Sequence, residues 1–293
     1  MIFKYVNYFF VYFVCPVAPE DGTGVPFCGY IMFEQNSKIV FNKRLAPETF
    51  LMALESPEVV AEARPGQFVM IRVTPGIDPL LRRPFSICGT RGDDLFLILY
   101  KVVGRGTAIM SQTRAGEKLA VLGPLGTGFD LPKRDCNSVL VAGGIGVAPL
   151  IFLAQAIDAG KTAFLSGYRS EKEILPLEQF GLDAIETLIS TDDGTAGHHG
   201  FVTELLENHL AGFSEDPPLI FSCGPLPMLN RVAELALKRN IPCQVSLETS
   251  MACGLGACQG CAVRASSGEN RTYFHVCQDG PVFDVHKLDL EAL

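Results

Sequence analysis

Four cysteines crowd together near the carboxyl end of the chain, and their spacing constrains the possible folds more than any other feature. They follow the pattern Cys-x4-Cys-x2-Cys-x15-Cys at Cys253, Cys258, Cys261 and Cys277. This is the spacing at which plant-type [2Fe–2S] clusters are held. Glycines lie between the first three cysteines, and they let a backbone fold around sulfides and direct its N–H groups at them. The pattern predicts a cluster-binding loop.

A zinc site or a set of buried thiols is the alternative interpretation of the same four cysteines. Structural zinc sites usually draw their ligands from Cys-x2-Cys pairs, so the 4-then-2 spacing favours the iron–sulfur cluster. Four cysteines in one segment of a long chain also favour metal binding in a reducing cytoplasm over a disulfide framework. The other cysteines are scattered singly, as is typical of small buried side chains: Cys15, Cys28, Cys88, Cys136, Cys223 and Cys243.

Length and charge exclude several classes of protein. A chain of 293 residues, 48% of them hydrophobic, is long enough for two or three domains with cores of their own. The formal net charge of −8 provides no positive field that would hold a polyphosphate backbone. We therefore expect no nucleic-acid partner, while local phosphate pockets remain compatible with this charge.

The first residues do not follow the pattern of a globular domain. Residues 2–14 are aromatic and apolar, with Lys4 near the start, as in a signal peptide. The run is shorter than the roughly 20 residues of a membrane-spanning helix, and no small-residue cleavage site follows Cys15. We interpret residues 1–35 as an N-terminal extension that neither spans a membrane nor directs export, with Met32 as an alternative start.

The rest of the chain predicts a multidomain protein with an antiparallel β-barrel, an α/β domain with a parallel sheet, and a C-terminal cluster subdomain. The first domain, residues 36–134, shows short β-type runs broken by Gly and Pro, which is typical of a small barrel. The second, residues 135–247, alternates apolar runs with helical stretches, which predicts parallel βαβ units. Residues 248–293 have little periodicity, so we expect a metal cluster rather than apolar burial to organise them.

The motif Arg82-Arg83-Pro84-Phe85-Ser86-Ile87 begins a predicted barrel strand. Arg83 can pair with a pyrophosphate, and Ser86 on the same strand can reach a flavin ring. Taken alone, the motif is better explained as a solvated arginine pair at a barrel edge. The motif Tyr100-Lys101-Val102-Val103 is followed by a turn, Gly104-Arg105-Gly106-Thr107, whose N–H groups can hold phosphate before a helix at Ala108. Two such features in one domain favour a flavin nucleotide.

The motif Gly143-Gly144-Ile145-Gly146-Val147-Ala148-Pro149 follows a predicted strand and opens a helix, where glycines let a pyrophosphate approach. It departs from the dinucleotide fingerprint, because Pro149 replaces the third glycine and the next strand ends in Arg169 rather than in an acidic residue. Taken alone, it is a packing turn as readily as a nucleotide site. Arg169 suits a 2′-phosphate and Glu171 suits a ribose, so the choice between NAD and NADP stays open.

Two further turns end strands of the same predicted sheet. Cys223-Gly224-Pro225 lies at its carboxyl edge, where ligands of open α/β sheets bind, although Cys223 packing against Pro225 at a helix start explains it equally. Thr191-Asp192-Asp193-Gly194 is a turn by composition, and only analogy gives it a function.

The order of these motifs resembles the ferredoxin–NADP reductase superfamily. More narrowly, it is similar to the electron-transfer subunits of the two-flavin, NAD-dependent (class 1B) dihydroorotate dehydrogenases of bacteria. The resemblance covers residues 38–286. Its narrower part rests on three stretches: residues 247–261 around the first three cysteines, Val276-Cys277-Gln278-Asp279-Gly280-Pro281-Val282-Phe283, and Asp193-Gly194-Thr195-Ala196-Gly197 before Gly200-Phe201-Val202-Thr203.

The resemblance implies three cofactors, FAD, a [2Fe–2S] cluster and NAD(H), with residue sets for each. The implied FAD site consists of Arg83, Pro84, Phe85, Ser86, Tyr100, Lys101, Val102, Gly106 and Thr107. The implied nicotinamide nucleotide site consists of Gly143, Gly144, Gly146, Cys223, Gly224 and Pro225, and the four cysteines hold the cluster. Phe85 departs from the superfamily, which often has Tyr there, so a hydroxyl contact is replaced by ring packing.

The implied function is that of an oxidoreductase subunit in pyrimidine biosynthesis that carries electrons between NAD(H) and the FMN of a dihydroorotate dehydrogenase catalytic subunit. The implied assembly is a heterotetramer of two of each chain, and no catalytic residue is expected in this chain. Two alternatives remain. One is a related FAD and [2Fe–2S] reductase subunit that serves ferredoxin, sulfide or polysulfide, or a hydrogenase. The other is a redox-sensing or zinc-stabilised binding module without turnover.

Overall fold

The computed structural model describes residues 32–132, 136–213 and 217–290. The predicted extension lies, up to residue 31, outside the described residues. No described helix is long and apolar enough to cross a membrane.

The first domain is a closed barrel of six antiparallel strands in the order β1-β2-β5-β4-β3-β6. The strands are β1 (Phe33–Ala46), β2 (Thr49–Glu55), β3 (Phe68–Arg72), β4 (Arg83–Arg91), β5 (Leu95–Lys101) and β6 (Lys118–Leu125). Two short helices, α1 (Pro57–Glu62) and α2 (Arg105–Ser111), connect them. Pairing of β1 with β6 closes the barrel, with Phe33 opposite Gly123.

Strands β2 and β5 are apolar on both faces because their side chains point alternately into two hydrophobic clusters. Met52 of β2 and Ile98 of β5 face the barrel core, while Leu51 and Leu97 pack in the cluster that contains the helix following β7. Successive side chains of a strand point to opposite faces, so a strand between a barrel core and a second domain needs apolar residues throughout. The position of a predicted site residue along its strand therefore determines whether its side chain points into the barrel core or away from it.

The second domain is a sheet with the order β10-β9-β8-β7-β11-β12, in which all these neighbours are parallel. Its strands are β7 (Ser138–Gly143), β8 (Thr162–Tyr168), β9 (Glu186–Thr191), β10 (His198–His199), β11 (Leu219–Cys223) and β12 (Cys243–Ser246), and its helices are α3 (Val147–Ala156), α4 (Val202–Leu210) and α5 (Leu226–Arg239). The chain moves outward from β7 through β8 to β9 and then returns to the other side of β7 as β11. The strand order therefore reverses between β7 and β11, which is where such sheets bind ligands.

The C-terminal segment forms a hairpin of β13 (Ala262–Arg264) and β14 (Tyr273–His275), followed by β15 (Val282–Asp284). β15 pairs antiparallel with β12 and so extends the sheet of the second domain. The expectation that apolar burial does not organise this segment is wrong. Val263, Phe274 and Phe283 join the same hydrophobic cluster as helix α5. Glycine-rich turns separate these residues irregularly, which hides them from a search for periodicity.

The predicted architecture is confirmed: a six-stranded antiparallel barrel and a parallel-sheet domain, followed by a C-terminal segment. The division of the chain at residues 35, 134 and 247 stays a prediction, and β1 begins at Phe33, before the predicted start of the barrel. Gly106 and Thr107 lie inside helix α2 rather than in a turn that precedes a helix at Ala108. The reason is that Gly104, in extended conformation, already acts as the N-cap.

Candidate functional site

The cysteine loop arranges its four sulfurs in two pairs. In the first pair, the side chains of Cys253 and Cys258 are hydrogen-bonded. The main-chain N–H of Cys258 also donates to Cys253 Sγ at 3.4 Å, and Leu255 N–H donates to the same sulfur at 3.3 Å. In the second pair, the sulfurs of Cys261 and Cys277 are 3.3 Å apart. Gly256 N–H donates to Cys277 Sγ at 3.1 Å. Several main-chain N–H groups are therefore aimed at sulfur, which stabilises negative charge there.

Two pairs suit a [2Fe–2S] cluster, in which each iron takes two protein ligands, better than a single tetrahedral zinc ion, which takes all four. Within the described ranges, no three His, Cys, Asp or Glu side chains converge on a single metal ion. The donor set, four thiols in a glycine-rich loop, fits the cluster that the spacing predicts. The assignment of each cysteine as a ligand stays a prediction.

The two pairs differ in their surroundings. Cys258 is exposed. Several hydrogen bonds lower the pKa of its thiol to about 7, and the one from the main chain of Gly260 has the largest effect. Burial, followed by the neighbouring Cys261 thiol, raises the pKa of Cys277 to about 12. Iron binds thiolates, so a positively charged metal has to draw the proton from Cys277, whereas Cys258 loses it readily.

The cysteine loop packs directly against the barrel. Gly254 has φ of +74°, and a Cβ added there would lie 2.6 Å from Met70 Cγ on β3. Gly256 has φ of +73°, and a Cβ there would meet the Gln278 side chain. The positive φ therefore favours glycine at both positions, and the close approach to Met70 adds to this at Gly254. On the barrel, Met70 pairs with Pro84 of β4, so the loop rests on the strand beside the Arg83–Ser86 motif.

Arg83 stands where β4 begins, next to helix α2. Its guanidinium lies across Gly106, since a Cβ on that glycine would be 2.7 Å from Arg83 Nε. The guanidinium also donates to the Leu81 carbonyl. One face of β4 beyond Arg83 belongs to the barrel core through Phe85, while Ser86 is half-buried on the other face. Arg83 and Gly106 thus lie together, while Ser86 is on the opposite face of β4, and the contact of all three with FAD stays a prediction.

Tyr100 and Phe85 point into the barrel. Tyr100 is 2% exposed, and its hydroxyl donates to Asn42 Oδ1 at 3.0 Å. Its ring stacks on Phe50 with centroids 5.6 Å apart and meets Phe85 edge-on at 5.9 Å. Burial raises the pKa of Tyr100 to about 12. These two rings therefore pack in the barrel core, and the contact of Tyr100 and Phe85 with a flavin stays a prediction.

The remaining residues of the predicted FAD site already have partners in the chain. Lys101 forms an ion pair with Glu173 at 3.4 Å, which links barrel and sheet domain, and Val102 N–H donates to the Glu48 carbonyl at 2.7 Å. The Thr107 hydroxyl accepts hydrogen bonds from Val103 N–H and Gly104 N–H and donates to the Gly104 carbonyl. Thr107 thus caps helix α2 and has no hydroxyl valence left for phosphate.

The predicted nucleotide residues meet where the strand order reverses. A Cβ on Gly146 would lie 2.5 Å from the carbonyl carbon of Cys223 and 2.8 Å from Gly224 Cα. A Cβ on Gly143 would lie 2.7 Å from Pro225 Cδ. Gly144 differs from these two, because its φ is +54° and nothing lies within 4 Å of its Cβ position. Gly143 and Gly146 thus bring the ends of β7 and β11 together, and Gly144 faces open space where a ligand can approach.

Cys223 is 1% exposed. Burial raises the pKa of its thiol well above the usual range, and the nearby Glu248 carboxylate adds to this to a smaller extent. Its thiol stays protonated and packs in the core, as expected if Cys223 is a packing residue. Glu248 was not among the predicted site residues. It follows β12, the neighbour of β11, so the rule that ligands bind at carboxyl strand ends would have found it.

A second group of polar residues, to which the sequence alone assigned no function, lies in the loops after β8 and β9. Thr195 Oγ1 donates to Asp193 Oδ1 at 2.6 Å and accepts from Glu171 N–H at 2.8 Å. Thr195 N–H donates to the same Asp193 oxygen at 3.0 Å. These hydrogen bonds lower the pKa of Asp193. The turn predicted at Thr191-Asp192-Asp193-Gly194 therefore holds an ionised, oriented carboxylate at the carboxyl edge of the sheet.

Residues 248–289 match the family described as the iron–sulfur cluster binding domain of dihydroorotate dehydrogenase B. In the solved structures, the chain is similar to one of an NADH-dependent reduced ferredoxin-NADP oxidoreductase, with a TM-score of 0.77, 30% identity, and coverage of 87% of this chain and 90% of that one. A ferredoxin NADP+ reductase from Neisseria gonorrhoeae with bound FAD and NADP shares the fold, with a TM-score of 0.58, 18% identity, and coverage of 70% of this chain and 91% of that one.

Two curated relatives extend the similarity over most of the chain, and both are electron transfer subunits of dihydroorotate dehydrogenase B (NAD(+)). The protein from Desulforamulus reducens is 38% identical over 252 residues, which are 85% of this chain and 95% of that relative. The protein from Bacillus cereus (strain B4264) is 37% identical over 266 residues, which are 89% of this chain and all of that relative. The resemblance stated from the motifs is thereby confirmed, and the chain belongs to the family of dihydroorotate dehydrogenase B electron transfer subunits.

Proposed function

We propose that this chain is the electron-transfer subunit of an NAD-linked dihydroorotate dehydrogenase and uses FAD and a [2Fe–2S] cluster. The observation that carries the proposal is the contact between the cysteine loop and the barrel. Gly254 rests on Met70, and Met70 pairs with Pro84, which follows Arg83 on β4. A cluster held by the loop, which packs on β3, and a flavin held by β4 would therefore be held at neighbouring parts of the barrel, which supports electron exchange between them.

FAD supplies the link between the other two groups, because nicotinamide exchanges electron pairs, a cluster exchanges single electrons and a flavin does both. The chain's own residues bind and orient. Arg83 pairs with the pyrophosphate of the flavin nucleotide, and the turn around Gly144 leaves room for the nicotinamide nucleotide. The four cysteine thiolates hold the iron. No side chain has to act as a general acid or base in these transfers.

The electrons need an acceptor or donor outside this chain, which the name of the relatives, electron transfer subunit, supports. We propose a catalytic subunit with FMN that oxidises dihydroorotate to orotate in pyrimidine biosynthesis, assembled as a heterotetramer of two of each chain. We also propose a cytoplasmic location. It is supported by the eight described cysteines, none of which forms a disulfide, as expected in a reducing compartment.

The test is reconstitution with a purified FMN-containing dihydroorotate dehydrogenase subunit. We expect the isolated chain to reduce an artificial acceptor with NADH but not to oxidise dihydroorotate. Addition of the catalytic subunit should create NADH formation from dihydroorotate and a stable complex with two copies of each chain. Absence of both the complex and the coupled activity, from chains that hold their cofactors, would overturn the proposal.

A second candidate has an observation of its own. The similarity to the structure of an NADH-dependent reduced ferredoxin-NADP oxidoreductase extends over most of both chains at 30% identity. If the purified chain reduces ferredoxin with NADH and gives no coupled activity with dihydroorotate, a reductase of that kind is the better description. The same preparation serves both assays, so the two candidates are compared directly.

A further inference from the structure

We propose that Asp279 is a positioning residue for the iron–sulfur cluster. It closes the turn that carries Cys277 and ties this turn to the β13–β14 hairpin, so that the Cys277 sulfur is held where iron binds. The inference rests on the proposed cluster and deepens it. It concerns the cysteine that lies farthest in sequence from the other three, which therefore depends most on the fold for its position.

The turn that carries Cys277 is closed by both the side chain and the main chain of Asp279. His275 N–H donates to Asp279 Oδ2 at 2.6 Å, and Asp279 N–H donates to the His275 carbonyl at 2.8 Å. Gln278 N–H donates to the same carbonyl at 2.9 Å. Cys277 is the middle one of the three residues that these hydrogen bonds enclose. The turn has thus lost conformational entropy before iron binds, which favours binding.

The second carboxylate oxygen of Asp279 ties the turn to the connection between β13 and β14. Arg271 Nη1 donates to Asp279 Oδ1 at 2.9 Å, and the same guanidinium lies over the Phe274 ring, 5.1 Å from its centroid. Phe274 is buried in the hydrophobic cluster that contains helix α5. A hydrogen bond between two charged groups is stronger than one between neutral groups. Asp279 is therefore anchored, through Arg271, to a part of the hairpin that the core holds in place.

The turn presents Cys277 directly to the other cysteines. Val276 N–H donates to the Cys261 carbonyl at 3.1 Å, and Cys277 N–H donates to Cys261 Sγ at 3.5 Å. From the other side, Gly256 N–H donates to Cys277 Sγ at 3.1 Å, and the Gln278 side chain lies against Gly256. A displacement of the turn would therefore disturb the contacts of Cys277 with both parts of the cysteine loop.

A surface ion pair that only stabilises the hairpin is the alternative explanation of the Arg271–Asp279 contact. Asp289 provides such a pair for comparison. Its carboxylate lies 3.4 Å from Arg264 Nε on β13, and its N–H donates to the Arg264 carbonyl at 3.1 Å. Among the described hydrogen bonds and ion pairs, none joins Asp289 to residues 275–279. Removal of Asp289 therefore takes away the same charge and a similar ion pair but leaves the Cys277 turn closed.

The experiment uses the full chain with its cofactors and compares four variants. Asp279→Ala removes both side-chain contacts. Asp279→Asn keeps an oxygen for His275 N–H but loses the ion pair, and Arg271→Gln loses the same ion pair from the other side. Asp289→Ala is the matched control.

The rate of iron release to an excess of chelator measures how firmly the cluster is held. The electron paramagnetic resonance spectrum of the chemically reduced chain reports the geometry of the iron ligands. Far-UV circular dichroism and flavin content of the same samples show whether each variant is folded.

We expect iron release from Asp279→Ala to be about tenfold faster than from the wild type, the lower end of the range for residues that support metal ligands. Asp279→Asn and Arg271→Gln should each be about threefold faster, because each loses only the ion pair. Asp289→Ala should release iron at the wild-type rate. The resonance spectrum should change in Asp279→Ala and not in Asp289→Ala, which a role in hairpin stability alone would not produce.

Equal release rates and equal spectra in Asp279→Ala and Asp289→Ala overturn the inference and leave the proposed function intact. If Asp279→Ala does not fold, Asp279→Asn takes its place, and release at the wild-type rate from that variant overturns the inference in the same way. A wild type that binds flavin but no iron shows that the proposed cluster itself is wrong, and the inference falls with it.

Discussion

The main chain of Gly146 lies against the carbonyl group of Cys223, where a Cβ would stand 2.5 Å from the carbonyl carbon. This contact joins the start of α3 to the end of β11 across the point where the strand order reverses. Gly146 has an ordinary helical φ of −60°, so only the close approach excludes a side chain. Two strand ends are thereby drawn together to form the floor of the proposed nucleotide site.

We predict that Gly146→Ala destabilises the protein by roughly 1–3 kcal/mol, because overpacking against backbone atoms forces α3 away from β11. It should also weaken binding of ADP-ribose, since the adjacent turn moves with the helix. Thermal unfolding and calorimetric titration measure the two effects. Gly268→Ala is the control, because nothing lies within 4 Å of its Cβ position. Equal melting temperatures for the two variants would contradict the prediction.

Local features of the sequence were sufficient to predict the barrel, the parallel sheet and the cysteine loop. Their signals lie in neighbouring residues: short β-type runs broken by Gly and Pro for the barrel, the apolar run of β7 for the sheet, and the 4-2-15 spacing for the loop. The direction of Tyr100 was not predictable, because a residue in a strand apolar on both faces gives no sign of which face is the core. The carboxylate of Asp193 was equally hidden. Its orientation depends on residues more than 20 positions away in the chain: Asp193 N–H donates to the Arg169 carbonyl, and Thr195, which holds the carboxylate, accepts from Glu171 N–H.

Tyr100→Phe separates a barrel role from a flavin role. The hydroxyl of Tyr100 is hydrogen-bonded to Asn42 inside the barrel, and its loss leaves the Asn42 oxygen without that donor. We predict a loss of about 1 kcal/mol in the free energy of unfolding. The affinity for FAD should stay unchanged, because the hydroxyl that is removed binds Asn42 inside the barrel. A large rise in the FAD dissociation constant would show that the side chain contributes to that site after all.

The same tyrosine predicts behaviour in alkali. The pKa of Tyr100 is raised from 10.0 to about 12, because burial disfavours the charged phenolate. A raised folded pKa gives stability that is fully present below pH 10 and is lost as the pH rises through about 12. We therefore expect the wild type to lose stability between these values more steeply than Tyr100→Phe. Denaturant unfolding across this pH range measures the difference, and parallel curves for the two proteins would contradict it.

Cys258→Ser tests the cluster. Removal of one thiolate leaves one iron with a single cysteine ligand, so we predict that iron falls nearly to zero while bound flavin is unchanged. Cys136→Ser, which lies outside the cysteine loop, should keep its iron. Iron and zinc are measured together in both variants and in the wild type. Full iron in Cys258→Ser would exclude this cysteine as a ligand, and one zinc per chain without iron in the wild type would favour the zinc alternative.

Arg83 and Arg82 are adjacent in sequence but differ in what they bind, which gives the flavin site an internal control. Arg82 is committed to the chain, since it pairs with Glu34 and donates to the Ala120 carbonyl at 3.2 Å. Arg83 lies across Gly106 and donates to the Leu81 carbonyl, with the rest of its guanidinium available to a phosphate.

We predict that Arg83→Ala weakens FAD binding by roughly 1.5–3 kcal/mol, the range for a hydrogen bond to a charged group, or about tenfold to a hundredfold in the dissociation constant. Arg82→Ala removes the same charge one residue away and should leave the dissociation constant within about twofold. Arg83→Lys should recover part of the loss, because lysine keeps the charge but not the planar fork that binds phosphate oxygens in pairs. Titration of the flavin-free chain with FAD measures all three. Equal weakening in Arg82→Ala and Arg83→Ala would mean that overall charge, rather than the position of Arg83 beside Gly106, governs the affinity.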